Sequence, residues 1–339
     1  MENKIGLIKL FNKERKKINN NLLVVGSGRW AKEIINEINT FFPNIKKIYI
    51  LTKNSEQLKS WASPQVLKKI NLLSELKETN NIDCNYAIIA NKNEKHFKFG
   101  EYLIRQSFNV LIEKPLFLKK KEFNKINTIA KKNNLKLLLS MQYLFAFYFI
   151  YLNEKLKKKK IKKVKFFWQD KNKEMRNNLH KSHDLNINFS VDIFFHVYSI
   201  LICLGITRQF SYFDKINHIE NFEIIKFGNK NTELEIESSR KSKVRKRLIK
   251  IIFKDGTRME LDFSKDFNFK SKIDNKPIKI PKKYLDNTLK YQIYFFLRKK
   301  QSGINIDNNE IKKLNSLFNY VNIINKKNEK NINLHSSSK

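Results

Sequence analysis

Cysteine and glycine are scarce in this chain, acidic residues are outnumbered two to one by basic ones, and no apolar run is long enough to cross a membrane. Its only cysteines, Cys84 and Cys203, are widely separated, and neither has a CxxC partner. That excludes a disulfide framework and a cysteine-based zinc site, and it suits a reducing cytoplasm. The longest apolar stretch, Phe189 to Ile206, carries Asp192 and His196 in its first half. It falls short of the roughly 20 uncharged apolar residues of a membrane span and is expected to be a buried helix. The chain opens with Glu2 and Lys4 and has no apolar segment before the basic run Lys13 to Lys17, so nothing resembles a secretory signal. The expected location is the cytoplasm, with no membrane association.

With 69 basic and 32 acidic residues the formal charge is +37, which raises the question of a polyanionic partner. Lysines occur in almost every segment, however. The densest run, Lys155 to Lys163, is interrupted only by Leu156 and Ile161 and has no aromatic on which a base could stack. So even a skew reads as compositional drift. Specific nucleic-acid binding is not expected, only weak attraction at low salt.

A chain of 339 residues fits two domains. From Asn21 to about Ser140, short apolar runs alternate with helix-patterned segments, the signature of parallel strands joined by helical crossovers. The runs are Leu22–Val25, Ile48–Leu51, Tyr86–Ala90, Val110–Ile112 and Leu135–Leu139. Helices are predicted over Trp30–Ile38, Glu94–Arg105 and Lys119–Lys132 from apolar spacings of three and four. Beyond about residue 160 the pattern changes to a strand at Val164–Trp168, a buried helix at Val191–Leu204, and strands at Phe222–Phe227, Glu233–Glu237, Leu248–Phe253 and Met259–Phe263. The last two flank Asp255-Gly256, a hairpin signal. Two helices, Tyr284–Lys299 and Asn309–Ile324, are predicted to close the chain. The expected fold class is α/β: a Rossmann-type parallel-sheet domain (21–140) after an N-terminal extension (1–20), then an α+β domain with a mostly antiparallel sheet (141–325) and a disordered tail (326–339).

Three segments carry chemistry. Directly after the first strand, Gly26-Ser27-Gly28-Arg29-Trp30-Ala31 forms a GxGxxA arrangement. Its first glycine makes the tight turn, the second lets backbone approach a pyrophosphate, and the helix N-terminus receives the phosphate. After the second strand the chain reads Leu51-Thr52-Lys53-Asn54-Ser55. No carboxylate is available there for the ribose 2′-hydroxyl of NAD, and the hydroxyl, ammonium and amide groups of Thr52, Lys53 and Asn54 suit the 2′-phosphate of NADP. NADP is therefore favoured over NAD. Ala90 and Asn91 lie where the third run ends, and Glu113-Lys114-Pro115 ends the fourth. Carboxyl ends of strands in an open α/β sheet are where ligands bind, so these too are candidate cofactor contacts.

With these residues in hand, the sequence resembles the glucose-fructose oxidoreductase and inositol dehydrogenase (Gfo/Idh/MocA) family. That family pairs a GxGxxG/A turn with N-x-x-H, a helix and then E-K-P, here Asn93-Glu94-Lys95-His96 and Glu113-Lys114-Pro115. The resemblance runs from about Asn21 to Ile324. It implies an NAD(P)-dependent oxidoreductase in which Asn93, His96 and Glu113 serve the cofactor site, and Lys114 lies near nicotinamide and substrate. It also places an aspartate and a histidine four apart on the first long helix of the second domain, here Asp192 and His196. Residues at i and i+4 share a helix face, and a histidine titrates near neutrality. His196 is accordingly the acid/base candidate, with Asp192 orienting it or contacting substrate. Ser190-Val191 stand where the family usually has glycines, and Lys92 where it has a proline.

The stretch from Trp168-Gln169-Asp170 through Glu174 and Arg176 to Lys181 and Asp184, between strand and catalytic helix, is a candidate lining of the substrate pocket, with Arg176 or Lys181 holding an anionic group and a solvated loop as the alternative. His180 and His183 are three apart but lack a third ligand, so no metal is expected. The resemblance implies a small-molecule substrate, first a sugar or nucleotide sugar, second a cyclic imine or other biosynthetic intermediate. It also implies a homo-oligomer built through the second domain's sheet. The reading from another class is a non-catalytic dinucleotide-binding regulatory protein.

Overall fold

A computed structural model describes residues 2–114, 120–156, 159–172, 174–176, 179–180, 189–206, 212–219, 222–229, 231–265 and 269–298. The chain divides into two compact units. Within the described residues the first holds 2–145 and 288–298, and the second holds 146–287.

The first unit runs α1 (Glu2–Glu14), β1 (Leu22–Val25), α2 (Arg29–Phe41), β2 (Ile48–Leu51), α3 (Ser55–Lys59), α4 (Pro64–Leu67), β3 (Ile70–Leu73), β4 (Tyr86–Ile89), α5 (His96–Arg105), β5 (Asn109–Ile112), α6 (Lys120–Lys132) and β6 (Leu137–Leu139). Its six strands lie in the order β3-β2-β1-β4-β5-β6, all parallel. β1, β2 and β4 are buried at every position, as expected of parallel strands covered on both faces. The Leu, Ile and Val runs therefore become strands where the sequence places them. β3 goes unpredicted because Asn71 and Leu72 are exposed at the edge of the sheet, so it lacks the uninterrupted apolar signature.

The second unit begins with α7 (Phe147–Leu156) and β7 (Ile161–Lys171), followed by the short pair β8 (Met175–Arg176) and β9 (Leu179–His180), then α8 (Phe189–Leu204). Next come β10 (Tyr212–Ile219), β11 (Phe222–Asn229), β12 (Thr232–Ser242), β13 (Lys246–Phe253), β14 (Arg258–Asp262), β15 (Lys270–Ile273) and β16 (Lys276–Pro277). The eight-stranded sheet has the order β10-β11-β12-β7-β13-β14-β15-β16. Only the β12–β7 pair is parallel. β13 and β14 turn at Asp255-Gly256, where Gly256 has φ +83° and supplies the left-handed conformation such a turn needs. One face of the sheet buries Val164, Phe166, Leu234, Ile236, Ile249, Ile251, Met259 and Leu261, and α8, itself packed on α7, lies against β12. β7 runs past the predicted strand end at Trp168: Gln169 and Asp170 are strand, not loop, and both are buried.

The chain then returns to the first unit as α9 (Thr288–Leu297), shorter than the predicted Tyr284–Lys299 and in the other unit from the one expected. The cause is apolar. Phe11 of α1 is buried with ring centroids 5.0 and 5.5 Å from Tyr291 and Tyr294 of α9, and 6.1 and 6.0 Å from Phe41 and Phe42 at the end of α2. The N-terminal extension is thus part of the first unit's core. The predicted helix Asn309–Ile324 and the tail lie outside the described residues.

Candidate functional site

In the first unit the strand order reverses at β1 and β4, which leave for opposite sides of the sheet, and a crevice opens at such a switch point. Gly26 follows β1 with φ +118°, a conformation that side chains rarely adopt. A Cβ on it would lie 2.9 Å from the Ala90 carbonyl oxygen, so the turn after β1 presses on the backbone after β4 as only glycine allows. Gly28 is the N-cap of α2 and has no side chain with which to cap that helix, and a Cβ at Gly28 would meet nothing within 4 Å. Arg29 and Trp30 begin α2, whose first N–H groups point into this open space. Ser27 between the glycines is buried. Its Oγ lies 2.8 Å from Thr52 Oγ1 and donates to Gln57 Oε1 at 3.3 Å, while its carbonyl accepts from Trp61 Nε1 at 3.1 Å. Thus the turn is tied to the segment after β2. There Asn54 Oδ1 caps α3 by accepting from Gln57 N at 2.9 Å, which leaves its amide N–H groups as donors, and Lys53 is exposed.

After β4, His96 is buried and its Nε2 lies 3.1 Å from the Asn91 carbonyl oxygen, holding the N-x-x-H segment to the strand end. Asn91 Oδ1 and Asn93 Oδ1 are buried acceptors without a hydrogen-bond partner among the described residues. After β5, Glu113 is buried; Ser140, just beyond β6, donates its hydroxyl to Glu113 Oε1. Burial pushes the Glu113 carboxyl up to about 7, against the pull of Ser140, the nearby Trp30 indole and the Lys114 charge. Trp30 Nε1 favours the carboxylate electrostatically without completing a hydrogen bond. Lys114 is half-buried beside it, and Pro115 lies outside the described residues. An open helix start, a glycine forced by close backbone approach and two orphaned amide oxygens all fit a dinucleotide.

In the second unit α8 carries both Asp192 and His196. Asp192 Oδ2 is 3.7 Å from Arg240 Nη2 of β12, so the proposed orienting carboxylate also has a cationic partner. The His196 imidazole stacks on the Trp168 indole, with centroids 5.2 Å apart and planes 11° from parallel. The Arg247 guanidinium of β13 sits 4.3 Å from the same indole centroid and forms a buried ion pair with Asp170. Arg176 falls in β8, its side chain outside those described, and Lys181 falls outside the described residues altogether.

Sequence reasoning missed Ser140, Gln57, Trp61, Arg240 and Arg247. Ser140 had a signal, since it follows a predicted parallel strand. The others are brought in by pairings between distant segments that no local pattern announces.

Residues 20–141 match the family model GFO_IDH_MocA, described as an oxidoreductase family with an NAD-binding Rossmann fold. No curated protein sequence matches the chain. Among solved structures, KijD10, a 3-ketoreductase from Actinomadura kijaniata in complex with TDP-benzene and NADP, is 10% identical with TM-score 0.69, covering 89% of this chain and 96% of that one. Myo-inositol 2-dehydrogenase from Lactobacillus plantarum is 13% identical with TM-score 0.67, covering 91% and 96%. UDP-N-acetylglucosamine 3-dehydrogenase GnnA from Acidithiobacillus ferrooxidans is 14% identical with TM-score 0.62, covering 83% and 88%. At such identities the structures speak to the fold alone. The family model covers the glycine turn, the segment after β4 and Glu113-Lys114, so it is over residues 20–141 that the chain is similar to the Gfo/Idh/MocA oxidoreductases and their NAD-binding Rossmann fold.

Proposed function

We propose that this chain is an NAD(P)-dependent oxidoreductase that moves a hydride to or from a carbon bearing oxygen or nitrogen in a sugar, nucleotide sugar or related biosynthetic intermediate. The observation that carries the reading is the start of α2, with open space at Gly28 beside a Gly26 pressed against Ala90, in a segment that matches a dinucleotide-binding family. The substrate class is supported by the relatives, one solved with a TDP ligand and others named for inositol and UDP-N-acetylglucosamine.

In this reading the backbone of Gly26 to Trp30 holds the pyrophosphate, and Thr52, Lys53 and Asn54 favour a 2′-phosphate, hence NADP over NAD. Asn91 and Asn93 offer their amide oxygens to hydroxyl or amide donors. A bound nicotinamide supplies or accepts the hydride. Lys114 donates a hydrogen bond to the substrate heteroatom and polarises its bond to carbon. When an alcohol is oxidised, its C–H bond yields the hydride and its O–H bond yields a proton to His196, leaving C=O; reduction returns both. Asp192 steadies His196, and Arg176 and Lys181 serve an anionic substrate group. The proposal includes a cytoplasmic homo-oligomer; the even spread of the lysines supports the absence of a specific nucleic-acid partner.

Titration with NADPH and NADH at moderate salt, followed by nicotinamide fluorescence, tests the reading. Saturable binding, tighter for NADPH, is expected. Failure of both to bind overturns it. With binding shown, Lys114→Ala is expected to keep cofactor affinity and abolish turnover in a screen of nucleotide sugars and inositols.

A further inference from the structure

His196 is in contact with a second aromatic ring. Trp168, on β7, presents its indole face to the imidazole in a near-parallel stack, 5.2 Å between centroids and 11° between planes. The indole is itself held firmly. Trp168 and Arg247 are cross-strand partners in the β7–β13 ladder, and the guanidinium lies 4.3 Å from the indole centroid. Arg247 is fixed in turn by its ion pair with Asp170, both side chains only 4% exposed, and by donation to the Gln169 and Lys246 carbonyl oxygens at 2.6 and 2.9 Å. Phe263 meets the indole edge-on, 6.1 Å away at 68°. A ring gripped on a face and at an edge cannot tip without breaking a buried ion pair, and such pairs are costly to break.

We infer that Trp168 is a positioning residue for His196: the indole, clamped by the Arg247–Asp170 pair, sets the plane of the imidazole. A stacked ring gives up a face to its partner and keeps both nitrogens at its edge, in the plane where hydrogen bonds form. Phe194, Phe195 and Val197 around it are buried, while His196 is only half-buried, so the stack takes the face and leaves part of the ring open. A proton carrier gains from this arrangement, since a fixed plane limits the directions in which its nitrogens can give or take a proton. Charged groups on the elements packed here include Asp170 and Arg247 from β7 and β13, and Asp192 and Arg240 from α8 and β12.

The inference rests on the reading of His196 as the proton carrier, and its test does not need turnover. The histidine ring protons of the full chain are followed by NMR, with the His196 signals assigned by their loss in His196→Gln. Protons above an indole face are shielded, so the wild-type signals are expected upfield of an exposed histidine. Trp168→Leu is expected to remove that displacement and to move the pH titration of the ring, while Trp168→Phe, which keeps an aromatic face, restores most of both. The remaining histidine signals report whether each variant is folded. An undisplaced wild-type signal, or one indifferent to Trp168→Leu, overturns the inference, as does a Phe variant that behaves like the Leu variant. If the displacement follows Trp168 as described but His196→Gln leaves turnover intact, the stack stands and it is the acid/base reading that falls.

Discussion

A methyl group added at Gly26 would lie 2.9 Å from the Ala90 carbonyl oxygen, on a residue whose φ is +118°, whereas at Gly28 it would meet nothing within 4 Å. Gly26→Ala is therefore expected to destabilise the fold by roughly 1–3 kcal/mol, seen as a lower Tm. Gly28→Ala should alter stability by less than about 1 kcal/mol, the scale of an N-cap change. It should still weaken NADPH binding by an order of magnitude or so, because the methyl fills the space where a phosphate meets the helix N–H groups. Equal loss of Tm in both variants, or unchanged affinity in Gly28→Ala, would contradict the site. Glu113 carries a different signature. Its carboxyl is raised from 4.5 to about 7 by burial, so between those values the folded state holds a proton that the unfolded state has released. Stability from this group is complete below about 4.5 and declines as pH rises towards 7, by roughly 3 kcal/mol in all. Glu113→Gln abolishes that slope. Urea denaturation at several pH values should show the wild type losing stability across this window relative to the variant.

At the scale of elements, α1 packs through Phe11, with the buried Leu7 and the Tyr294–Glu14 hydrogen bond of 2.6 Å beside it. Phe11 is 2% exposed and meets four rings from α2, the residue after it, and α9. Phe11→Ala should therefore cost about 3–5 kcal/mol; a loss under about 1 kcal/mol in denaturant unfolding would mean that α1 is not part of the core. Such helix-on-helix contacts are poorly legible in a sequence. The runs that became β1 and β2 could be read to the residue, because a strand buried on both faces must be apolar throughout. The glycine turn and Glu113-Lys114 were legible for a related reason, since each sits at the end of such a strand, whereas the N-x-x-H segment was legible through the family resemblance. What escaped was set by partners distant in sequence. Gln169 and Asp170 read as the start of a loop because they are polar, yet Gln169 Nε2 donates to Glu237 Oε1 at 3.0 Å and Asp170 pairs with Arg247, so the strand continues with its polar groups satisfied. Likewise α9 read as part of the second domain by its position in the chain, while its aromatic residues belong with Phe11.

The whole molecule carries a formal charge of +37, and two electrostatic effects of opposite salt dependence compete in it. Across the second unit's sheet, Lys226, Glu235, Lys165, Lys250, Glu260 and Lys272 follow one another in register on β11, β12, β7, β13, β14 and β15. Their ion pairs include Lys165–Glu235 at 2.7 Å, Lys250–Glu260 at 3.0 Å and Lys272–Glu260 at 2.9 Å. Partly exposed pairs of this kind contribute about 0–1 kcal/mol each, and salt weakens them. Against them stands the mutual repulsion of the unmatched lysines, which grows with the square of net charge and acts over the Debye length, about 30 Å at 0.01 M salt and about 8 Å at 0.15 M. At low salt that range takes in many unmatched charges, and at 0.15 M it takes in little more than the immediate pairs. Repulsion should therefore decide the sign, and Tm is expected to rise as sodium chloride is raised from about 0.01 M to about 0.15 M. A falling Tm would mean that the Lys–Glu rows dominate. The same field inflates the affinity of every anion at low salt. NADPH, with its additional phosphate, should lose affinity more steeply with salt than NADH. If the preference for NADPH vanishes at about 0.15 M, it came from net charge; if it persists, it comes from Thr52, Lys53 and Asn54.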